Sequence, residues 1–155
     1  MDIATIVDEW IDPADLVKFQ RTYEDQSRRG NPSAVAVFNY AHALIKSTKE
    51  DVKTGIFLLE GLLKRSEEDI PKRDYVYYLA IAHTRLKEYD RALDYINLLL
   101  SVETHNRQAA ELKALIEKRM KRDGIVGLAV LGLGGVGAVV AGFVAAAFLS
   151  RRTAH

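Results

Sequence analysis

Residues 75–96 read YVYYLAIAHTRLKEYDRALDYI, and this stretch decides the fold. Apolar residues recur at three- and four-residue spacing on both sides of a short polar segment, which predicts two helices, at 75–86 and 90–100. A tight turn at Lys87-Glu88-Tyr89 joins them. No part of the stretch alternates strictly enough to predict a strand. The stretch therefore predicts a helical hairpin.

A looser copy of this hairpin lies upstream. Residues 38–43 (FNYAHA) align with 77–82 (YYLAIA), and residues 55–59 (GIFLL) align with 92–96 (ALDYI). Small residues recur where the paired helices would cross; they are Ala41 and Ala80 in the first helices, and Gly55 and Ala92 in the second. Residues 89–93 also match the Y-x-x-A-L core of a tetratricopeptide repeat, a helix–turn–helix unit with a period near 34 residues. The alternative is a chance pairing of two amphipathic hairpins.

The sequence before the tail predicts further helices around these two pairs. Asp12-Pro13 has an N-cap carboxylate followed by proline at the first helical position, and the helix it begins ends near Gly30. Ser33 caps a helix over 34–47, Pro71 breaks the chain, and a last helix begins near Asn106. We predict an all-α fold, a six-helix bundle with two tandem repeat-like helix pairs over residues 12–123, plus a C-terminal transmembrane helix.

Composition excludes several classes of function. Lys plus Arg (22) nearly balance Asp plus Glu (21), and there is no cysteine. A near-neutral domain lacks the basic surface that nucleic acids require, and histidines at 42, 83, 105 and 155 are not at metal-ligand spacing. Neither a nucleophile elbow nor a P-loop is present. We expect no enzyme activity, no cofactor, no metal, no nucleic-acid partner and no small-molecule substrate.

The C-terminal segment predicts a membrane anchor. Residues 125–149 are uncharged and are flanked by basic residues on both sides. As a helix they would span roughly 37 Å, enough for a hydrocarbon core of about 30 Å. We therefore predict a tail anchor at 124–149 that leaves the preceding domain in the cytosol. A short basic tail follows at 150–155, in which Arg151 and Arg152 are predicted to direct targeting.

Glycines within the anchor have two interpretations. Gly132, Gly134 and Gly137 spell G-x-G-x-x-G, but the chain leaves no room for the second strand of a dinucleotide-binding unit. Gly134, Ala138 and Gly142 are spaced four apart, which is typical of close helix packing in lipid. This face predicts a homo-oligomer, unless the small residues only lower the hydrophobicity.

Residues 1–11 form a separate N-terminal arm. Ile3, Ile6, Val7 and Trp10 are apolar, and a segment this short is not a stable helix alone. We hypothesise that the arm lies across or near a partner-binding groove and competes with partners. The alternative is that Trp10 is a core residue of the first helix.

Stacked helix pairs form a concave groove lined by the first helix of each repeat. If Ala41 and Ala80 mark the close-packed side, apolar and charged residues fall on the groove side together, as a partner-binding surface requires. The predicted groove residues are Val35, Phe38, His42, Ile45 and Lys46 in the first repeat, and Asp74, Tyr77, Ile81, Thr84 and Arg85 in the second. Arg85 is a candidate clamp for a partner carboxylate or carbonyl.

Each of these residues also has a simpler interpretation. Phe38 and Tyr77 are equally consistent with core positions. Arg85 is also consistent with a surface residue paired with Glu88, and His42 with a packed histidine that has no chemical role.

Several stretches together resemble the mitochondrial fission 1 protein family. They are residues 38–41 (FNYA), 55–60 (GIFLLE), 73–80 (RDYVYYLA), 85–89 (RLKEY) and 121–127 (KRDGIVG). The resemblance covers about residues 10–150. It implies a tail-anchored protein of the mitochondrial outer membrane and peroxisomal membrane. It also implies a receptor for a dynamin-related GTPase, or for its adaptor proteins, in organelle division.

Two other functions stay open from the residues alone. One is a different tail-anchored repeat protein, such as a chaperone co-receptor. Repeats that grip a chaperone's carboxylate need Lys and Asn at positions that here hold Phe38 and His42. The other is membrane remodelling through oligomers of the anchor.

Overall fold

The computed structural model describes residues 2–65 and 71–124. Within them the chain forms seven α-helices and no strand; they are α1 (Ile3–Val7), α2 (Pro13–Arg29), α3 (Ala34–Leu44), α4 (Lys49–Leu63), α5 (Lys72–Arg85), α6 (Tyr89–Val102) and α7 (Arg107–Arg122). Helices α2 to α7 are the six that the sequence predicts, so the all-α prediction is confirmed. The short helix α1, inside the arm, was not predicted.

The predicted anchor and tail lie outside the described residues. This applies to Gly134, Ala138 and Gly142, and to Arg151 and Arg152. Among residues 2–65 and 71–124, none of the helices has the length and apolar character needed to cross a bilayer.

Helix starts are set by the capping residues. The Asp12 carboxylate accepts a hydrogen bond from the Ala14 amide at 2.9 Å, and Pro13 occupies the first helical position. Ser33 caps α3 in the same way, accepting from the Ala36 amide at 3.2 Å. Satisfying these amides, which have no partner within the helix, stabilises a helix by about 1 kcal/mol per cap. Both predicted caps are confirmed.

The two repeats pack through their small residues. Ala41, Ala80 and Ala92 are fully buried. A Cβ atom placed on Gly55 would lie only 2.8 Å from the Cγ2 of Ile45 and 3.0 Å from the carbonyl oxygen of Ala41. The crossing of α3 and α4 is therefore too close for any side chain at Gly55, as the alignment of the repeats predicts.

Each helix from α2 to α7 packs against the next. The buried core lies between these helices. Its side chains include Leu59, Leu79, Ile96 and Leu112. Such stacking of antiparallel helices leaves the first helix of each pair on a common concave side. Helix α1 packs there, against α5 and α7.

Candidate functional site

The concave side carries a cluster of aromatic rings. The Phe38 ring stacks on His42 with centroids 5.8 Å apart, and Tyr78 lies edge-on to both, at 5.7 Å from Phe38 and 4.7 Å from His42. Tyr77 meets Tyr78 at 5.4 Å. All four rings are half-buried. Phe38 and Tyr77 also pack against the core, so their two interpretations are not exclusive. That Phe38, His42 and Tyr77 bind a partner stays a prediction.

Tyr78 is a groove residue that the sequence analysis missed. It follows the predicted Tyr77 directly and contacts both Phe38 and His42 of the first repeat. The spacing in the sequence could have identified Tyr78. It lies seven residues before Arg85, and residues at this spacing share a helix face.

Three of the predicted groove residues are buried, so the prediction that they line an accessible groove is wrong. Ile45, Ile81 and Thr84 are 1%, 3% and 1% exposed. Ile45 faces α4, where its Cγ2 closes over Gly55. The Thr84 hydroxyl donates to the Ala80 carbonyl at 2.7 Å inside α5, and Ile81 belongs to the apolar core. Val35 is 44% exposed, Asp74 is half-buried, and both remain accessible.

The N-terminal arm lies on the concave side. Val7 is fully buried, and Ile3 and Ile6 pack against the core as partly buried residues. The amide of Ile11 donates to the Lys46 carbonyl at 2.9 Å, so the arm enters α2 beside the inner loop of the first repeat. An apolar strip on an otherwise unstable segment is thus buried against the domain.

Arg85 holds the arm in place. Its guanidinium donates to the carbonyl oxygens of Val7 at 2.8 Å, Glu9 at 2.7 Å and Ser47 at 3.3 Å. The planar fork of arginine suits several acceptors at once. Arg85 therefore binds carbonyls that belong to this chain, and its predicted contact with a partner stays a prediction. The alternative pairing with Glu88 is not seen, since Glu88 contacts His83 and Arg91.

Trp10 rests on the outer side of this clamp. The Arg85 guanidinium carbon lies 5.4 Å from the centre of the indole, within the range of a cation–π contact. The Trp10 side chain is nevertheless 67% exposed. The alternative that Trp10 is a core residue is therefore wrong.

An ion pair also binds the arm to the last helix. Arg119 donates to both carboxylate oxygens of Asp8, at 3.1 Å and 2.9 Å. The Arg119 side chain is only 12% exposed, so this bidentate pair is better shielded than an ordinary surface pair. The arm is thereby bound to both α5 and α7.

Beside the arm, part of the groove is open. A cleft of about 300 Å³ remains between α1, α3, α5 and the start of α7; its lining includes Ile6, Phe38, Asp74, Tyr77, Tyr78 and Asn106. Burial raises the pKa of Tyr77 and Tyr78, and the nearby carboxylates Glu111 and Asp74, respectively, raise it further. Arg73 at the rim pairs with Glu103 at 3.1 Å. The open cleft is thus aromatic, with acidic groups beside it.

His42 is uncharged in this setting. Burial, and secondly the nearby Lys46, lower its pKa to about 4. The neutral ring supplies an aromatic surface rather than a proton donor. Among residues 2–65 and 71–124, no cluster of three or more His, Asp or Glu side chains is arranged to bind a metal ion.

The chain matches known proteins over most of its length. Residues 36–66 match the Fis1 N-terminal tetratricopeptide repeat, and residues 73–125 match the Fis1 C-terminal tetratricopeptide repeat. FIS1-related protein fis-2 of Caenorhabditis elegans is 47% identical over 98% of this chain and 100% of that protein. Human mitochondrial fission 1 protein is 42% identical over 82% of this chain and 84% of that protein.

The chain belongs to the Fis1 family. The resemblance inferred from the sequence is thereby confirmed. The Fis1 family consists of repeat-fold adaptors and not of enzymes, so the prediction that the chain is not an enzyme is also confirmed.

Solved Fis1 structures share the fold. The crystal structure of Saccharomyces cerevisiae Fis1 superposes with a TM-score of 0.70 at 27% identity, covering 81% of this chain and 95% of that one. Yeast Fis1 in complex with an Mdv1 fragment also gives a TM-score of 0.70 at 27% identity, covering 79% and 94%. That Fis1 protein binds a fragment containing an N-terminal extension and coiled-coil domains.

Proposed function

We propose that the chain is a mitochondrial fission adaptor that binds partner proteins in its concave groove. The observation that carries this proposal is the groove itself. In a member of the Fis1 family, aromatic rings from both repeats form a surface that the chain's own arm covers only in part. The partners proposed are adaptor proteins of the fission machinery, by analogy with the Mdv1 fragment bound by yeast Fis1, and through them or directly a dynamin-related GTPase.

The open cleft favours a particular partner segment. Phe38, Tyr77 and Tyr78 offer aromatic faces, and Asp74 adds a carboxylate at the rim. A segment with apolar side chains and a Lys or Arg satisfies both, since a cation is attracted to aromatic rings and to carboxylates. The partner segment proposed is therefore apolar and basic.

The arm is proposed to compete with this segment. Backbone carbonyls of Val7 and Glu9 occupy the Arg85 guanidinium, and Ile6 forms one wall of the open cleft. A partner that uses the whole groove must displace these groups. The arm would therefore lower partner affinity by the free energy with which it is held.

The proposed location follows from the tail. The uncharged residues 125–149 would anchor the protein in the mitochondrial outer membrane, and also in the peroxisomal membrane, with the repeats facing the cytosol. Arg151 and Arg152 would direct the tail to these membranes, and the face of Gly134, Ala138 and Gly142 would support a homo-oligomer. The proposed boundaries remain 1–11 for the arm, 12–123 for the domain, 124–149 for the anchor and 150–155 for the tail.

The test is capture of fission adaptors by the full-length chain in detergent. Tyr77→Ala with Tyr78→Ala should reduce capture at least tenfold while helicity is retained, and deletion of residues 1–9 should increase it several-fold. Lys53→Ala, on an exposed part of α4, is the matched control and should change nothing. Unchanged capture by the double variant would refute partner binding in the groove. Unchanged capture after the deletion would refute only the competition by the arm.

A further inference from the structure

One end of the bundle adjoins the point where the chain leaves the domain. The Tyr89 hydroxyl donates to the Asp123 carboxylate at 2.6 Å, and Arg122 donates to the other oxygen at 3.1 Å. The end of α7 is thus bonded to the start of α6. Gly124 alone separates Asp123 from the uncharged run that begins at residue 125.

The same end carries the arm and the inner loops of both repeats. Arg85, at the end of α5, reaches the Ser47 carbonyl in the loop between α3 and α4, and its guanidinium lies against Trp10. The proximity of Lys87 lowers the pKa of Asp123, after its hydrogen bonds with Tyr89 and Arg122, so this turn also faces the chain exit. We call the surface formed by Trp10, Ser47, Lys49 and Lys87, together with the end of α7 that carries Lys121, the exit face.

Trp10 is the unusual residue of the exit face. It is 67% exposed although a cleft of about 360 Å³ lies beside it, lined also by Val52, Arg85 and Leu86. Tryptophan combines a large apolar ring with one N–H donor, which is why it is enriched where a membrane meets water. On this end of the molecule, an exposed indole matches the headgroup layer of a bilayer.

The charges on the exit face favour an anionic surface. Lys49, Lys87 and Lys121 are exposed. Several carboxylates nearby are engaged within the protein; they are Asp8 with Arg119, Asp123 with Arg122 and Tyr89, and Glu88 with His83 and Arg91. Glu9 is exposed beside Trp10 and opposes the attraction. Glu50, next to Lys49, pairs with Lys53 at 3.7 Å, and Asp12 caps α2. Lysines are attracted to an anionic leaflet, so the three lysines outweigh the exposed Glu9.

We infer that the exit face lies on the anionic headgroups of the membrane that holds the tail, with the Trp10 indole in the headgroup layer. This inference rests on the proposed tail anchor, because the tail brings the face to the bilayer. Arg85 then holds the arm and presents Trp10 to the lipid in the same arrangement. A partner that displaces the arm from the groove must also withdraw Trp10 from the membrane.

Trp10 is the only tryptophan of the chain, so its fluorescence tests the inference directly. The full-length chain is reconstituted into phosphatidylcholine vesicles with or without phosphatidylserine, and into the same vesicles carrying a lipid with a spin label at headgroup depth. With phosphatidylserine, we expect a blue-shifted emission and at least twofold stronger quenching by the labelled lipid than without it. A water-like emission that acrylamide quenches freely and labelled lipid does not would overturn the inference.

Charge variants locate the contact on the exit face. Lys49→Glu with Lys87→Glu should reduce quenching by labelled lipid at least twofold. The control, Arg29→Glu with Lys64→Glu, makes the same change of charge at the opposite end of the bundle, near the contact of Arg65 with Pro32. Equal losses in both variants would overturn the assignment to this face. A shift of Trp10 emission that requires a protein partner and not lipid would overturn it as well.

Alkaline carbonate extraction separates this inference from the proposed function. A chain that resists extraction but shows no lipid quenching overturns the exit face alone. A chain that is extracted overturns the tail anchor and the exit face together. Capture of adaptors by the groove is measured in detergent and does not depend on either result.

Discussion

The two repeats share a fold but differ in what they hold. Lys46 of the first repeat and Arg85 of the second occupy aligned positions, 39 residues apart. Arg85 donates to three carbonyl oxygens, two of them in the arm. At the aligned position in the first repeat, the Lys46 backbone carbonyl, and not its side chain, accepts the bond from Ile11. The second repeat thus holds the arm through a side chain, whereas the first contacts the last residue of the arm through its backbone.

This difference shows how a repeat protein becomes specialised. Packing already favours the second repeat, because helix α1 packs against α5 and α7. A planar guanidinium can serve three acceptors, whereas an ammonium on a flexible stem serves them poorly. The Arg85 side chain therefore adds directed hydrogen bonds to a contact that packing already places on the second repeat.

The largest expected effect is that of Arg85→Ala. It removes three charge-assisted hydrogen bonds and the cation–π contact, and we expect a loss of about 3 kcal/mol in the free energy of unfolding. Amides of residues 3–8 should lose most of their protection from hydrogen exchange because the arm detaches. The measurement is hydrogen exchange with a parallel denaturant titration.

Lys46→Ala is the matched control for that variant. It leaves the backbone carbonyl that Ile11 uses, so both stability and arm protection should change by less than about 0.5 kcal/mol. Equal effects at the two positions would contradict the difference between the repeats.

The next largest effect on stability is expected at Gly55 and Ala92, where the two helices of each repeat cross. Gly55→Ala gains about 1 kcal/mol of helix propensity but places a Cβ atom 2.8 Å from Ile45, and we expect a net loss of roughly 1–2 kcal/mol. Ala92→Gly, at the aligned position, should also lose roughly 1–2 kcal/mol, since it removes a buried methyl group and loosens α6. Thermal unfolding of both variants measures this. A more stable Gly55→Ala protein would show that α3 and α4 have room to spare.

Local patterns in the sequence predicted most of the fold. The Asp12-Pro13 start and the small residues at the crossings each depend on neighbours in the chain or on the repeat, and both are confirmed. The candidate site was predicted less well than the fold. The bonds from Arg85 to Val7 and Glu9 join residues more than seventy positions apart, and no local pattern contains them. Ile45 was misplaced because the first helix of a repeat faces both the groove and the second helix, and spacing alone does not separate the two faces.

His42 and Ile81 are aligned, and their difference predicts a pH dependence. The pKa of His42 is lowered from its ordinary 6.5 to about 4, chiefly by burial, so the folded protein resists protonating it. The unfolded chain binds this proton as pH falls through 6.5. The contribution of His42 to the free energy of unfolding is therefore fully present above about pH 6.5 and is lost progressively as the pH falls to about 4.

At pH 5 the cost is about 1 kcal/mol, after allowance for the partial exposure of the ring. His42→Ile, which copies the second repeat, should remove this part of the acid sensitivity, while the buried His83, whose pKa is also lowered by burial, keeps its own. Denaturant titrations at pH 7 and pH 5 measure the difference. An identical loss in the variant and the original protein would show that His42 is protonated without cost.

The smallest effect is expected at the ion pair between Asp8 of the arm and Arg119 of α7. Asp8→Asn weakens the pair with Arg119 while keeping its shape, and we expect a loss of about 0.5–1 kcal/mol because Asp8 itself is well exposed. Hydrogen exchange of residues 3–8 should increase far less than in Arg85→Ala, and 1 M salt should reduce the difference from the original protein by screening the pair. Asp15→Asn, an exposed carboxylate in α2, is the control and should leave the arm unchanged. If Asp8→Asn released the arm as fully as Arg85→Ala, the arm would depend on α7 as much as on the second repeat, and the guanidinium of Arg85 would not be the main group that holds it.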